Sequence, residues 1–128
     1  MAHWSDHYVG QPFVLDEKDC AWWAEEILRR QFGRTVCLPT DRAGGHRGKA
    51  RQIQEALADY CHPTDTPAEG DAVIMVSRGA LYHIGLYAEI GGRPWVVHAA
   101  QNAGQVVRTR LRDLEREGLV LEGIYRWK

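Results

Sequence analysis

The sequence predicts an α+β domain in which helices come first and an antiparallel sheet follows. Three observations point that way. Near Gly70 the texture changes from helical periodicity to strand-like alternation. Asp19 to Gly33 carries the start, the amphipathic body and the stop of one helix. Gly91-Gly92 stands between two apolar runs as a tight hairpin turn does. At 128 residues the chain has the size of one domain, since domains most often run to about 100–150 residues. No repeat, low-complexity tract or linker divides residues 1–128.

Asp19 suits an N-cap, because its side-chain oxygen can accept from the free N–H groups of a first turn. From Cys20 to Phe32, the charges Glu25, Glu26, Arg29 and Arg30 fall on one side of a helix, while Cys20, Trp23, Ala24 and Ile27 share the other. Gly33 supplies the stop. Trp22 falls off that apolar face and is placed to line a groove or a partner surface. A second amphipathic helix is expected over Lys49–Tyr60, with Ile53, Ala56, Leu57 and Tyr60 inward. Ahead of it, Arg42–Lys49 with Gly44, Gly45 and Gly48 lacks the P-loop pattern and reads as a flexible loop able to act as a lid.

In the second half, Ala72–Val76, Leu81–Ile90, Trp95–Ala99 and Gln105–Thr109 read as strands. Leu111–Glu117 reads as a short helix closed by Gly118, and Leu119–Trp127 as a last strand. A two-residue turn at Gly91-Gly92 makes paired positions sum to 183, so that His98 faces Gly85 and Ala100 faces His83. The two imidazoles then share one face as diagonal neighbours, and Gly85 leaves room between them.

Composition narrows the function classes. Apolar residues make up 45% and charged residues 26%, the balance of an ordinary globular protein. Sixteen basic side chains against seventeen acidic ones leave a formal charge of −1, so no basic field draws the chain to phosphate backbones and nucleic acid is not an expected partner. The longest apolar runs, such as Ala72 to Val76, fall far short of the ~20 residues that span a bilayer. The opening Met-Ala-His-Trp-Ser-Asp-His has neither the basic start nor the apolar stretch of a secretion signal, which predicts synthesis in the cytoplasm. Cysteines at 20, 37 and 61 are an odd, unpaired set that argues against a disulfide framework and for reduced thiols. No CxxC or HxxxH spacing preorganises a metal, and no cofactor is expected.

The chemistry is expected at Cys20, which follows the N-cap and so sits where unpaired N–H groups and the positive end of the helix dipole favour a thiolate. A thiol at a helix start, a histidine on a strand and a second polar group behind it are the nucleophile, base and orienting group of thiol hydrolases. His83 and His98 fill the last two places. His3, His7, His46 and His62 have no such company and read as surface residues.

Four features follow one another along the chain. Tyr8-Val9-Gly10-Gln11-Pro12-Phe13 precedes Asp19-Cys20, Gly70-Asp71 opens an apolar strand, His83-Ile84-Gly85-Leu86-Tyr87 follows, and Val97-His98-Ala99 comes fifteen residues after the first histidine. In this order and spacing, over residues 8–100, they resemble the NlpC-type cell-wall peptidases, which are papain-like cysteine hydrolases. The resemblance implies Cys20 as nucleophile, His83 as general base and His98 as the orienting residue. It also implies a papain-like α+β fold, a central antiparallel sheet with the Cys20 helix packed on it. Phe13 stands where many relatives have a tyrosine, so Tyr8 becomes the phenol expected to assist the oxyanion. Ala21-Trp22-Trp23-Ala24 is bulkier than the small residues usual after the nucleophile, which leaves groove shape and substrate choice open.

The opening stretch and the ending Gly123-Ile124-Tyr125-Arg126-Trp127 look most like the compact members found among bacteriophage tail proteins. That likeness implies a place in the virion tail beside other tail proteins, with delivery to the cell wall by injection. The expected reaction is hydrolysis of an amide in the peptide stem of bacterial peptidoglycan, leaving the glycan intact, since no pair of carboxylates stands ready for glycoside hydrolysis. Asp16, Glu17 and Asp19 read as loop and capping residues. The alternatives are a structural tail or adaptor module with little turnover, and a deamidase or acyltransferase using the same three residues.

Overall fold

The computed structural model describes residues 2–15, 17–36, 38, 58–77 and 81–128. Their centre is a six-stranded antiparallel sheet. Its strands are β1 (Cys61–Pro63), β2 (Ala72–Ser77), β3 (Leu81–Ile90), β4 (Arg93–Ala100), β5 (Gln105–Arg110) and β6 (Val120–Trp127), in the spatial order β1-β6-β2-β3-β4-β5. The helix α1 (Cys20–Phe32) lies across β3 and β4.

Helix α1 begins and ends for local reasons. Asp19 is extended and accepts from the Trp22 N–H at 3.0 Å, and Gly33 takes the left-handed φ of 63° that lets its N–H turn back to the Leu28 carbonyl. Ala21, Trp23, Ala24, Ile27 and Leu28 are buried against Ile84, Leu86 and Ala88 of β3 and Val97 and Ala99 of β4. On the outer side Glu26 pairs with both Arg29 and Arg30. The apolar stripe read from the sequence is therefore the stripe that docks.

The sheet is apolar on both faces. Alternate residues of β2 divide between two clusters, Ala72 and Ile74 on the α1 side, Val73 and Met75 on the other with Tyr87, Val96, Leu114 and Leu119. A 3₁₀ helix, Leu111–Glu117, closed by Gly118 at φ 75°, covers that second side through Leu114. This is why Ala72 to Met75 is a continuous apolar run rather than an alternating one. The outer edge of β5 is joined by the N-terminal segment: Gly10 N–H donates to the Val106 carbonyl at 2.9 Å, Val106 N–H to Gln11 at 2.8 Å, and Phe13 N–H to Gly104 at 3.0 Å. The Trp23 indole N–H fastens the same segment to α1 through the Pro12 carbonyl at 3.0 Å.

These observations correct the expected papain-like α+β fold. Strand accounts for 42% and helix for 26% of the described residues, so the domain is small and β-rich. The reason lies in the first half, where the helical layer was expected. Residues 10–14 run as an extended edge segment with bridges Pro12↔Gln105 and Val14↔Lys18. Trp4–His7 is 3₁₀, and Cys61–Pro63 adds a strand beside β6. Residues 58–60 are helical; the remainder of the helix expected over Lys49–Tyr60, and the Arg42–Lys49 loop, lie outside the described residues.

Strands β3 and β4 leave no room for a side chain at Gly85. A Cβ there would stand 2.5 Å from Val96 Cγ2, 2.8 Å from the Val97 carbonyl oxygen and 2.9 Å from His98 Cβ. One of these is backbone and cannot rotate away, so Gly85→Ala should cost about 1–3 kcal/mol, the usual range for overpacking. Urea unfolding of wild type and variant checks this, and an unchanged midpoint would mean that the strands are farther apart than described.

Candidate active site

His83 lies on β3 opposite Met75 of β2, and His98 lies on β4 opposite Val107 of β5. The β3–β4 ladder runs from Ile90↔Arg93 to Leu86↔Val97, each pair summing to the 183 that a two-glycine turn requires. Past its end the two imidazoles meet. His83 Nε2 is 2.8 Å from His98 Nδ1, and the rings stand nearly perpendicular with centroids 5.0 Å apart. Behind them, His98 Nε2 is 3.0 Å from Thr109 Oγ1. Because His98 faces Val107, Thr109 is its diagonal neighbour on β5. The chain His83–His98–Thr109 runs inward: His83 is half-buried, whereas His98 is 3% and Thr109 8% exposed.

Cys20 is the first residue of α1, half-buried against the helix-side cluster. Asp19, just before it, is buried. The side of β3 that α1 covers is that of Ile84 and Leu86, while alternation assigns His83 to the side of Met75 and Tyr87. The Asp19 carboxylate, next to Cys20, acts on His83 with its negative charge and favours the protonated form of the ring. Burial works in the opposite direction and prevails, holding His83 down at about 4. Burial and then the neighbouring His83 hold His98 down at about 3. Both rings are neutral near pH 7. In that state His83 has one nitrogen, Nε2, committed to His98, and Nδ1 remains for another partner.

Tyr8 is placed elsewhere. Its phenol feels Arg30, Glu26 and Arg29, six to ten residues along α1 from Cys20 and therefore about 9–15 Å along the helix axis. Its ring packs on Trp4, which in turn packs on Phe32. Tyr8 is a core residue at the far end of the helix, and burial raises its phenol. Cys61 on β1 is buried, with its thiol pushed up to about 11 by burial. Cys37, His46 and Asp16 lie outside the described residues. His3, expected at the surface, is half-buried instead, its ring bonded to Ser5 and Glu69.

Two contributors were not singled out from the sequence. The electrostatic part of Asp19 was hidden behind its capping part, and Thr109 was read only as the end of a strand. A register for the β4–β5 hairpin would have found Thr109. Among the described residues no group of three or more His, Cys, Asp and Glu side chains is gathered to hold a metal ion. No described helix is long and apolar enough to cross a membrane.

Two outcomes are expected. Iodoacetamide on the native protein should label Cys20 well before Cys61, because thiolate fraction and access both favour the helix start. Peptide mass mapping over time reads the order, and faster labelling of Cys61 would contradict it. The buried histidines also set an acid limit. Their folded values lie below the ordinary 6.5, so between pH 6.5 and about 4 the unfolded chain binds more protons and stability falls as pH drops. Replacing both by Asn removes this contribution. Between pH 7 and 5 the melting temperature of wild type should fall on the order of 5–10 °C more than that of the double variant, and parallel curves would contradict the assignment.

No family model matches the chain, and no curated protein is significantly similar to it.

Proposed function

We propose that the chain is a thiol hydrolase that cuts an amide in the peptide stem of bacterial peptidoglycan, with Cys20 as nucleophile, His83 as general base and His98 as its orienting residue. The observation that carries this reading is the 2.8 Å bond between His83 Nε2 and His98 Nδ1, made by two neutral rings within reach of the charge at the start of α1. A base must begin unprotonated, and a buried pair of histidines held neutral meets that condition. A base needs one of the two directions this bond can take. With Nε2–H given to His98, the His83 lone pair is on Nδ1, and that atom takes the thiol proton around the start of β3, where His83 is the third residue and the charge beside Cys20 reaches it.

The thiolate attacks the amide carbon, and the backbone N–H of Cys20, at the helix start, supports the developing oxyanion. Nδ1–H of His83 then protonates the leaving amine. In the second half, the same nitrogen takes a proton from water, which displaces the Cys20 sulfur from the acyl group. While the imidazolium exists, the Asp19 charge offsets part of the burial that opposes it. Asp19 does not serve as an acid or nucleophile for glycoside chemistry, since it is a buried cap bonded to Trp22 N–H.

The substrate class rests on the order and spacing of the motifs, which resemble those of NlpC-type cell-wall peptidases. Stem peptides carry free carboxylates, and the Lys18 ammonium, held 5.4 Å from the centre of the Trp22 ring, puts a positive charge close in sequence to the thiol. The likeness to phage tail members makes the virion tail the proposed setting, with other tail proteins as partners.

Purified sacculi incubated with wild type should release new free amines with an intact glycan, and Cys20→Ala should release none. His83→Ala should lower kcat/KM by about 10³ or more, and His98→Gln by about 10–100-fold, since an amide can still bond to the base. Reducing sugar ends, or a fully active Cys20→Ala, would overturn the proposal.

A further inference from the structure

We infer that Thr109 is a positioning residue of this site: its hydroxyl accepts the Nε2–H of His98 and thereby fixes which nitrogen of each histidine carries the proton. The inference rests on the hydrolase reading for its consequence, but not for its geometry. Three atoms lie in series, His83 Nε2, the His98 ring and Thr109 Oγ1, joined at 2.8 Å and 3.0 Å. Two neutral imidazoles can share one hydrogen between them in only two ways. In one, His83 donates from Nε2 and His98 accepts at Nδ1, so His98 must carry its own proton on Nε2. In the other, His98 donates from Nδ1, and His83 must carry its proton on Nδ1.

Only the first arrangement leaves His83 with a free lone pair on the nitrogen that His98 does not occupy. A threonine hydroxyl can accept from His98 Nε2 or donate to it, so the choice follows the direction taken at the far end of the chain, and in the inferred state Thr109 accepts. His98 is 3% exposed, and a buried ring N–H without an acceptor costs much more than one that is bonded. Thr109 is buried too, on the diagonal position of the neighbouring strand. Among the described residues the hydroxyl of Thr109 is the group found at His98 Nε2. With it accepting, the proton on His98 Nε2 is satisfied and Nδ1 is left to receive from His83. Without it, the favourable state is the inverted one, with the His98 proton on Nδ1 and the His83 proton on Nδ1.

The hydroxyl is separable from the volume of the side chain, because Val has nearly the shape of Thr and Ser keeps the hydroxyl without the methyl. Ring nitrogen chemical shifts of ¹⁵N-labelled protein at neutral pH read the tautomers directly, and a purely structural role would not move them. Wild type and Thr109→Ser should show both His83 and His98 protonated at Nε2. Thr109→Val should show both protonated at Nδ1, with kcat/KM on sacculi down about tenfold or more, mainly in kcat, since the base and not the groove is affected. If wild type already carries the His98 proton on Nδ1, or if Thr109→Val leaves the tautomers unchanged, the inference is wrong. The wild-type spectrum alone decides this should the Val variant fail to fold. Expected tautomers in a wild type that releases nothing from sacculi would instead overturn the hydrolase reading and leave the role of Thr109 standing.

Discussion

The bond between His83 and His98 depends on β3 and β4 approaching more closely than side chains normally allow, and Gly85 is where the fold permits it. A methyl at that position would meet Val96, the Val97 carbonyl and His98 at once. Much of the structure serves this contact. The two-glycine turn sets the register, α1 presses on Leu86 and Val97 from one side, and Tyr87 and Val96 pack with Leu114 on the other. The strands are therefore fixed from both faces, and the rings they carry are fixed with them.

Burial that holds the rings in place also governs their protons. A histidine in water is half-charged near pH 6.5, whereas these two stay neutral down to about 4 and about 3. The cost is acid sensitivity, and the gain is a pair whose hydrogen bond has a definite polarity at neutral pH. Asp19 opposes the burial at His83 alone. The two rings thus differ in how readily each becomes charged, and the one nearer to solvent and to the helix start is the more basic.

Much of this was legible in the sequence where the signal is local. The bounds of α1, its cap at Asp19 and its stop at Gly33 follow from neighbouring residues, as does the β3–β4 register from Gly91-Gly92. Non-local pairings were not legible. Nothing in Gly10 to Phe13 announces that it adds to β5, and Cys61–Pro63 is too short for alternation to mark it as a strand. The error in fold class came from the same source, since only the helical periodicity of the first half was read and its extended segments carry no strand signal of their own. Tyr8 was misplaced because its role was carried over from a motif, while its position is set by packing on Trp4 and the last turns of α1.

Thr109 shows what a register adds to a motif. A motif names residues that chemistry requires, but the group that sets their protonation can be any hydroxyl or amide that the next strand happens to bring alongside. In this chain the β4–β5 pairing puts Val107 opposite His98, and alternation then puts the side chain of Thr109 on the same face, one diagonal step away. A shift of that register by one residue would turn Thr109 to the other face and leave His98 Nε2 against Val107 or its neighbours, with no hydroxyl to receive its proton. The chemistry of the first histidine is thus set two strands away, by a pairing that contains no catalytic residue type at all.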